Sequence, residues 1–133
     1  MSYLLDTNSW IQFLNGRSES IRRRLESTKP QDIVLCSVVK AELLYGAMKS
    51  ARPAENLAKI RSFIEPHTSF PFDDDAAQVY GALRARLERL GKPIGPNDLL
   101  IAAITLVRGA TLVTHNTREF SRIEDLALED WEK

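Results

Sequence analysis

"IVLCSVVKAELLYG", residues 33–46, decides how this chain is built. Its first four residues are continuously apolar and begin with two β-branched side chains. That is the composition of a strand buried on both faces, as in parallel sheets. Ser37 then suits the N-cap of a helix running to about residue 50. A strand that passes straight into a helix is half of a parallel crossover unit, so strands and helices should alternate on either side of it. Toward the N-terminus, "YLL" at 3–5 reads as a strand, followed by a short helix over 9–14 stopped at Asn15-Gly16 and a second helix over 18–27. Toward the C-terminus, Pro53 opens a helix that ends before Pro66. "SFPF" at 69–72 reads as an edge strand or a strand end, because Pro71 cannot donate to a ladder. Asp73, Asp74 and Asp75 mark a helix N-terminus, and that helix continues to about residue 90 before Gly91. Pro96 opens a helix that Gly109 closes, "TLVT" at 111–114 is a fourth strand, and "LAL" at 126–128 adds a short fifth. The fold class is therefore α/β, with a central parallel sheet of four to five strands covered on both faces.

Length and composition bound the rest. At 133 residues and 44% hydrophobic, residues 1–133 form one domain able to bury a single core. The lone cysteine, Cys36, permits no internal disulfide, and no Cys/His cluster has zinc-type spacing, which fits a reducing cytoplasm. The longest apolar run, "LLIAAI" at 99–104, is far too short to span a bilayer, and no basic leader precedes an apolar stretch, so a cytoplasmic protein without a membrane partner is expected. Lys plus Arg equals Asp plus Glu at 18 each, so net charge does not point to nucleic acid. Its distribution is uneven: Arg84, Arg86, Arg89 and Lys92 face only Glu88 within 79–97, and Arg22, Arg23 and Arg24 form a second basic spot. Runs of this kind are most often solvated helix faces.

Three acids stand where apolar residues would be expected. Asp6 ends the first strand, and ligands of parallel α/β sheets bind beyond the carboxyl ends of strands. Asp6, Thr7 or Asn8 would equally serve to cap the helix that follows. Glu42 has Val38, Val39, Tyr45 and Gly46 as its helical neighbours and no Lys or Arg at those spacings. An unpaired carboxylate on such a stripe is costly unless it sits at the rim or meets a cation. Asp98 starts the almost wholly apolar helix "NDLLIAAITLV", where the helix dipole alone would favour an acid. Carboxylates that converge repel one another unless a cation joins them, and an oxygen-only donor set fits Mg²⁺ or Mn²⁺ rather than zinc. Such an ion makes water nucleophilic near neutral pH and stabilises the leaving oxygen of a phosphodiester. Neutralising three acids would also tip the charge balance toward positive. In "THNTREF", 114–120, Glu119 offers a further carboxylate and Asn116 a polar orienting group, although a turn with a left-handed Asn explains the segment equally well.

"LLDTN", "AELLYG", "PIGPNDLLIAA" and "THNTREF", in this order, make the chain resemble the PIN-domain ribonucleases, and among them the VapC toxins of bacterial toxin–antitoxin pairs. The resemblance covers essentially the whole chain, including "EDW" near its end. It implies a three-layer α/β/α sandwich, with Asp6, Glu42 and Asp98 as the metal-binding acids and Asp6 and Asp98 as the direct ligands of Mg²⁺ or Mn²⁺. The family often carries Asp at the position of Asn116, so this chain departs there and Glu119 becomes the candidate for the fourth acid. The resemblance further implies a homodimer and a cognate VapB-type antitoxin whose Arg or Lys displaces the metal. Operator DNA would be bound only through that antitoxin. The substrate implied is RNA, in the nearest-looking subgroup initiator tRNA cut in its anticodon stem-loop. Arg84, Arg86 and Arg118 are the candidate phosphate contacts.

Two other Mg²⁺-binding classes fit less well. A receiver-type signalling domain needs an acidic pair after its first strand and a late Lys, but Asp6 precedes Thr7 and Asn8, and residues 93–132 hold no Lys. A haloacid-dehalogenase phosphatase needs a second Asp at position 8, which is Asn. A non-catalytic binding module on the PIN fold is equally compatible with the sequence. Trp10, Phe13, Leu14, Ile60, Phe63 and Ile64 have core spacing, Cys36 reads as a buried apolar residue, and His67 and His115 are expected to be surface or hydrogen-bonded.

Overall fold

A strand of only three residues can lie at the centre of a domain if both of its faces are enclosed and both of its edges are paired. The computed structural model describes residues 1–133, and in it β1 (Tyr3–Leu5) meets both conditions. It pairs in parallel with β2 (Ile33–Cys36), Tyr3 opposite Ile33, and with β4 (Thr111–Val113), Leu5 opposite Val113. β3 (Thr68–Phe70) extends the sheet beyond β2, and β5 (Leu128–Glu129) beyond β4. The order is β3-β2-β1-β4-β5, all parallel. Leu4, Leu5, Leu35, Leu112 and Val113 are wholly buried, each contributing about 1.5–3 kcal/mol of transfer free energy.

Seven helices cover this sheet: α1 (Thr7–Leu14), α2 (Glu19–Ser27), α3 (Ser37–Met48), α4 (Pro53–Ile64), α5 (Asp74–Arg89), α6 (Pro96–Arg108) and the single turn α7 (Thr117–Phe120). The α/β class, the parallel sheet and the alternation read from the sequence all hold. Capping chemistry explains most boundaries. Asp73 caps α5 by accepting the Ala76 N–H at 3.0 Å, and Gly109 closes α6 at φ +63°, where a side chain would be strained.

Some expected boundaries move. The first helix begins at Thr7 rather than at residue 9, because Asp6 is its cap. Ser37 is the first residue of α3 and not its cap; Cys36 holds that position, with no side-chain capping bond. β3 ends before Pro71, at the sheet edge, and β5 lies at Leu128–Glu129 rather than at 126–128. Phe63 is not core: it is partly exposed and meets Phe13 edge-on at 5.6 Å. His67 is neither free at the surface nor hydrogen-bonded at Nδ1, and its ring lies 5.8 Å from that of the buried Trp10.

The chain visits β1, β2 and β3 in one direction and then returns to place β4 on the other side of β1. Where that order reverses, the connections leave the strand ends in opposite directions and open a crevice. Asp6 lies at its edge, one residue past β1.

Candidate active site

Asp6 does two jobs at once. It is 6% exposed, its backbone N–H donates to the Val113 carbonyl at 3.0 Å, and its Oδ1 accepts the Ser9 N–H at 2.9 Å. The capping reading and the site reading are therefore compatible, because capping engages one oxygen and leaves Oδ2 uncommitted.

Asp98 reaches the crevice from the first turn of α6 and is half-buried. Burial, and then the charges of Glu119, Asp6 and Glu42, push its carboxyl up from 3.8 to about 6. All four acids singled out in the sequence thus share one electrostatic neighbourhood, although they come from α1's cap, α3, α6 and α7.

Glu42 and Glu119 are held differently. Glu42 is half-buried on α3: Thr7 Oγ1 donates to its Oε1 at 2.5 Å and Asn97 Nδ2 to its Oε2 at 3.4 Å. The stripe that carries it is not wholly core-facing, since Tyr45 is 65% exposed; the rim reading is the correct one. Glu119 receives the Gly95 N–H at 3.2 Å on Oε1 and Asn116 Nδ2 at 3.0 Å on Oε2. Asn116 has φ −84°, so the left-handed turn is not formed; it leads into α7 and its amide reaches Glu119.

Each of these two glutamates has both oxygens occupied by neutral donors from flanking elements. Asp98 has no such partner, and Asp6 only one. Neutral donors fix orientation without cancelling charge, so four ionised carboxylates would leave the pocket strongly negative. A hard divalent cation fits this donor set, which is all oxygen and contains no sulfur. Asp6 and Asp98 have oxygens free to hold it.

Thr7, Asn97 and Gly95 were missed as site residues by sequence reasoning. A usable signal existed, since Thr7 follows Asp6 and Asn97 precedes Asp98, but short polar residues beside a helix start read first as caps.

The basic candidates separate. Arg84 donates from Nη1 to the Tyr80 hydroxyl at 2.9 Å and lines a small cavity with Pro93, Ile94, Pro96 and Leu99, beside the loop that enters α6. Arg86 lies over another cavity with Val79, Leu106, Ile123 and Asp125. Arg118 is exposed on α7 immediately before Glu119. From the turn after α7, Arg122 Nη1 donates to the Pro93 carbonyl at 2.8 Å, so α7 and the loop before α6 are tied twice.

A groove of about 240 Å³ adjoins Glu42, floored by Ile11, Leu14, Leu43 and Ile60. No helix is long and apolar enough to cross a membrane.

Comparison with known proteins adds an independent line. The family model described as PIN domain matches residues 3–126. Ribonuclease VapC2 of Rickettsia felis is 41% identical over the full length of both chains. The tRNA(fMet)-specific endonuclease VapC of Shigella flexneri is 40% identical over 98% of each. A chain in the crystal structure of DNA-bound VapBC from Salmonella typhimurium superposes with a TM-score of 0.92 at 39% identity, again over 98% of each chain. With its motifs, its sheet order and its four gathered acids all in agreement, the chain belongs to the PIN-domain family, among the VapC ribonucleases.

Proposed function

We propose that the Asp6–Glu42–Asp98–Glu119 pocket is the centre of a divalent-metal-dependent endoribonuclease, and that the chain is the toxin of a type II toxin–antitoxin pair. The observation that carries this reading is Asp98, whose carboxyl is raised to about 6 by burial and by the three other acids facing it. A divalent cation would relieve the repulsion among these carboxylates at neutral pH.

Asp6 Oδ2 and the Asp98 carboxylate are the groups that would hold Mg²⁺, with Mn²⁺ able to substitute. Bound there, the ion would supply charge neutralisation and Lewis acidity for hydrolysis of a phosphodiester. Glu42 and Glu119, oriented by Thr7 and Asn97 and by Gly95 and Asn116, accept hydrogen bonds from water entering the pocket and align it with the scissile phosphate. Asn116 acts through Glu119, so Glu119 is the fourth acid. Arg118, next to Glu119, and Arg84, beside the loop that enters α6, would attract the RNA backbone.

The substrate proposed is tRNA, with the initiator species cut in its anticodon stem-loop, in line with the name of the Shigella relative. RNA loops present splayed bases and phosphates accessible to a shallow crevice. The proposed partners are a second copy of the chain and a VapB-type antitoxin, with operator DNA bound through the antitoxin. The apolar groove beside Glu42 suits an amphipathic antitoxin segment, from which a cationic side chain would reach the four acids and block the pocket.

The test is cleavage of total RNA by purified protein with Mg²⁺, Mn²⁺ or EDTA, followed by mapping of the new 5′ ends. Asp6→Asn and Asp98→Asn should each lower the rate at least about a hundredfold, the scale of losing one preorganised electrostatic contact. Cleavage that persists in EDTA, or unchanged in both variants, would overturn the assignment.

A further inference from the structure

Outside the acidic pocket, one set of side chains brings together a nitrogen donor and two carboxylates. His115 follows β4 by two residues, while Asp130 follows β5 directly and Glu132 lies two residues further on. β4 and β5 are paired neighbours, so the sheet itself carries these groups to one place. His115 Nδ1 lies 3.0 Å from Asp130 Oδ2 and 3.5 Å from Glu132 Oε2, and all three donor atoms fall within 4.8 Å of one another.

These separations can be compared with those a metal ion would impose. With metal–nitrogen and metal–oxygen bonds of about 2.0–2.2 Å, adjacent ligands are about 2.9 Å apart in an octahedron and about 3.4 Å in a tetrahedron. The two distances from the imidazole nitrogen lie close to the range that these geometries span. The carboxylates are also the more enclosed part of the group. The Asp130 side chain is 7% exposed and is fixed further by the Glu132 N–H, which donates to its Oδ1 at 3.0 Å, leaving Oδ2 turned to the ring. The His115 ring, 64% exposed, is the open side through which an ion and its remaining waters enter.

We propose that His115, Asp130 and Glu132 form a second metal site, separate from the acidic pocket, that takes a borderline divalent ion such as Zn²⁺. The donor set carries the choice of ion. An imidazole with two carboxylates favours Zn²⁺, Ni²⁺ or Co²⁺ over Mg²⁺, whereas an all-carboxylate pocket lacks the nitrogen donor and is suited to Mg²⁺ when that ion is in excess. The ion replaces the hydrogen bond between His115 and Asp130, and it displaces any proton on Nδ1. It also ties the last residues of the chain to the turn that carries Asn116, so occupancy raises thermal stability by binding only the folded state.

Calorimetric titration of chelator-treated full-length protein with ZnCl₂, in a millimolar excess of Mg²⁺ that competes at the acidic pocket, tests this directly. Wild type should bind one equivalent of Zn²⁺ with a rise in melting temperature. His115→Ala and Asp130→Asn should each weaken that binding at least about tenfold and abolish the rise. Asp98→Asn should retain both, which separates this site from the acidic pocket and frees the result from any nuclease assay. His115 is mostly exposed, so its replacement leaves the fold intact, and melting in the absence of Zn²⁺ checks that. Zn²⁺ binding that is absent in wild type, unchanged in His115→Ala, or lost in Asp98→Asn would show that the three groups are an ion pair only.

Discussion

Asp98 is the residue whose surroundings make the most definite prediction. Its folded carboxyl, raised to about 6, keeps a proton that the unfolded chain loses near 3.8. Between those values the folded state binds more protons than the unfolded one. This contribution to stability is therefore fully present below 3.8 and is lost as the pH rises through about 6. Melting curves of EDTA-treated protein should lose stability over that window, and Asp98→Asn should flatten the slope; an equal slope in the variant would contradict the geometry. Thr7 gives a second prediction at this scale. Its hydroxyl orients Glu42, so Thr7→Val should cost about 10–100-fold in cleavage or in Mn²⁺ affinity measured by electron paramagnetic resonance, with Thr7→Ser restoring most of it. Asp6, Glu42 and Asp98 stand out in the sequence as acids where apolar residues would be expected, whereas an ordinary turn explains Glu119 and Asn116 equally well and only the family resemblance singles out Glu119. What the sequence did not separate was their roles. Whether a carboxylate has a free oxygen or two occupied ones depends on donors such as Asn97 and Gly95, which reach Glu42 and Glu119 from other elements.

Elements were legible wherever a local signal ended them. Asp73 at the start of α5, Gly109 at the end of α6 and Pro71 beyond β3 all act through their own backbone or side chain, so their effect can be read without the fold. β5 is the counter-example. Its two residues form a strand because β4 offers an edge and because Trp131 fastens the segment. Trp131 is 1% exposed, its ring sits 5.4 Å from Tyr3 and under Arg24, and its Nε1 donates to Glu129 at 2.9 Å. From α2, the Ser20 hydroxyl donates to the Trp131 carbonyl at 2.5 Å. Trp131→Ala should therefore cost about 3–5 kcal/mol in urea unfolding and release β5 first, seen as fast hydrogen exchange of the Thr114 amide that bonds to the Glu129 carbonyl. A cost near zero would mean that the C-terminal segment is not part of the cooperative unit.

For the molecule as a whole, charge distribution matters more than its sum. The 18 basic and 18 acidic residues balance, but a divalent ion bound among the four acids would halve their charge and take the chain's net charge from 0 to +2. RNA affinity measured by fluorescence anisotropy should rise when Ca²⁺ replaces EDTA and fall with salt. Arg84→Ala should reduce the salt slope by about one contact, while Arg86→Ala, over a different cavity, should leave it unchanged. The sequence by itself determined the α/β class and the parallel sheet, and it marked Asp6, Glu42 and Asp98 as candidate acids, because hydrophobic pattern, capping and turn chemistry act over a few residues. Tertiary structure alone decided that β4 crosses back to lie beside β1, that Asp6, Glu42 and Glu119 come within electrostatic reach of Asp98 there, and that Arg84 and Arg86 line different cavities. Those outcomes depend on which surfaces pack together across the chain, and distance in sequence carries no record of that.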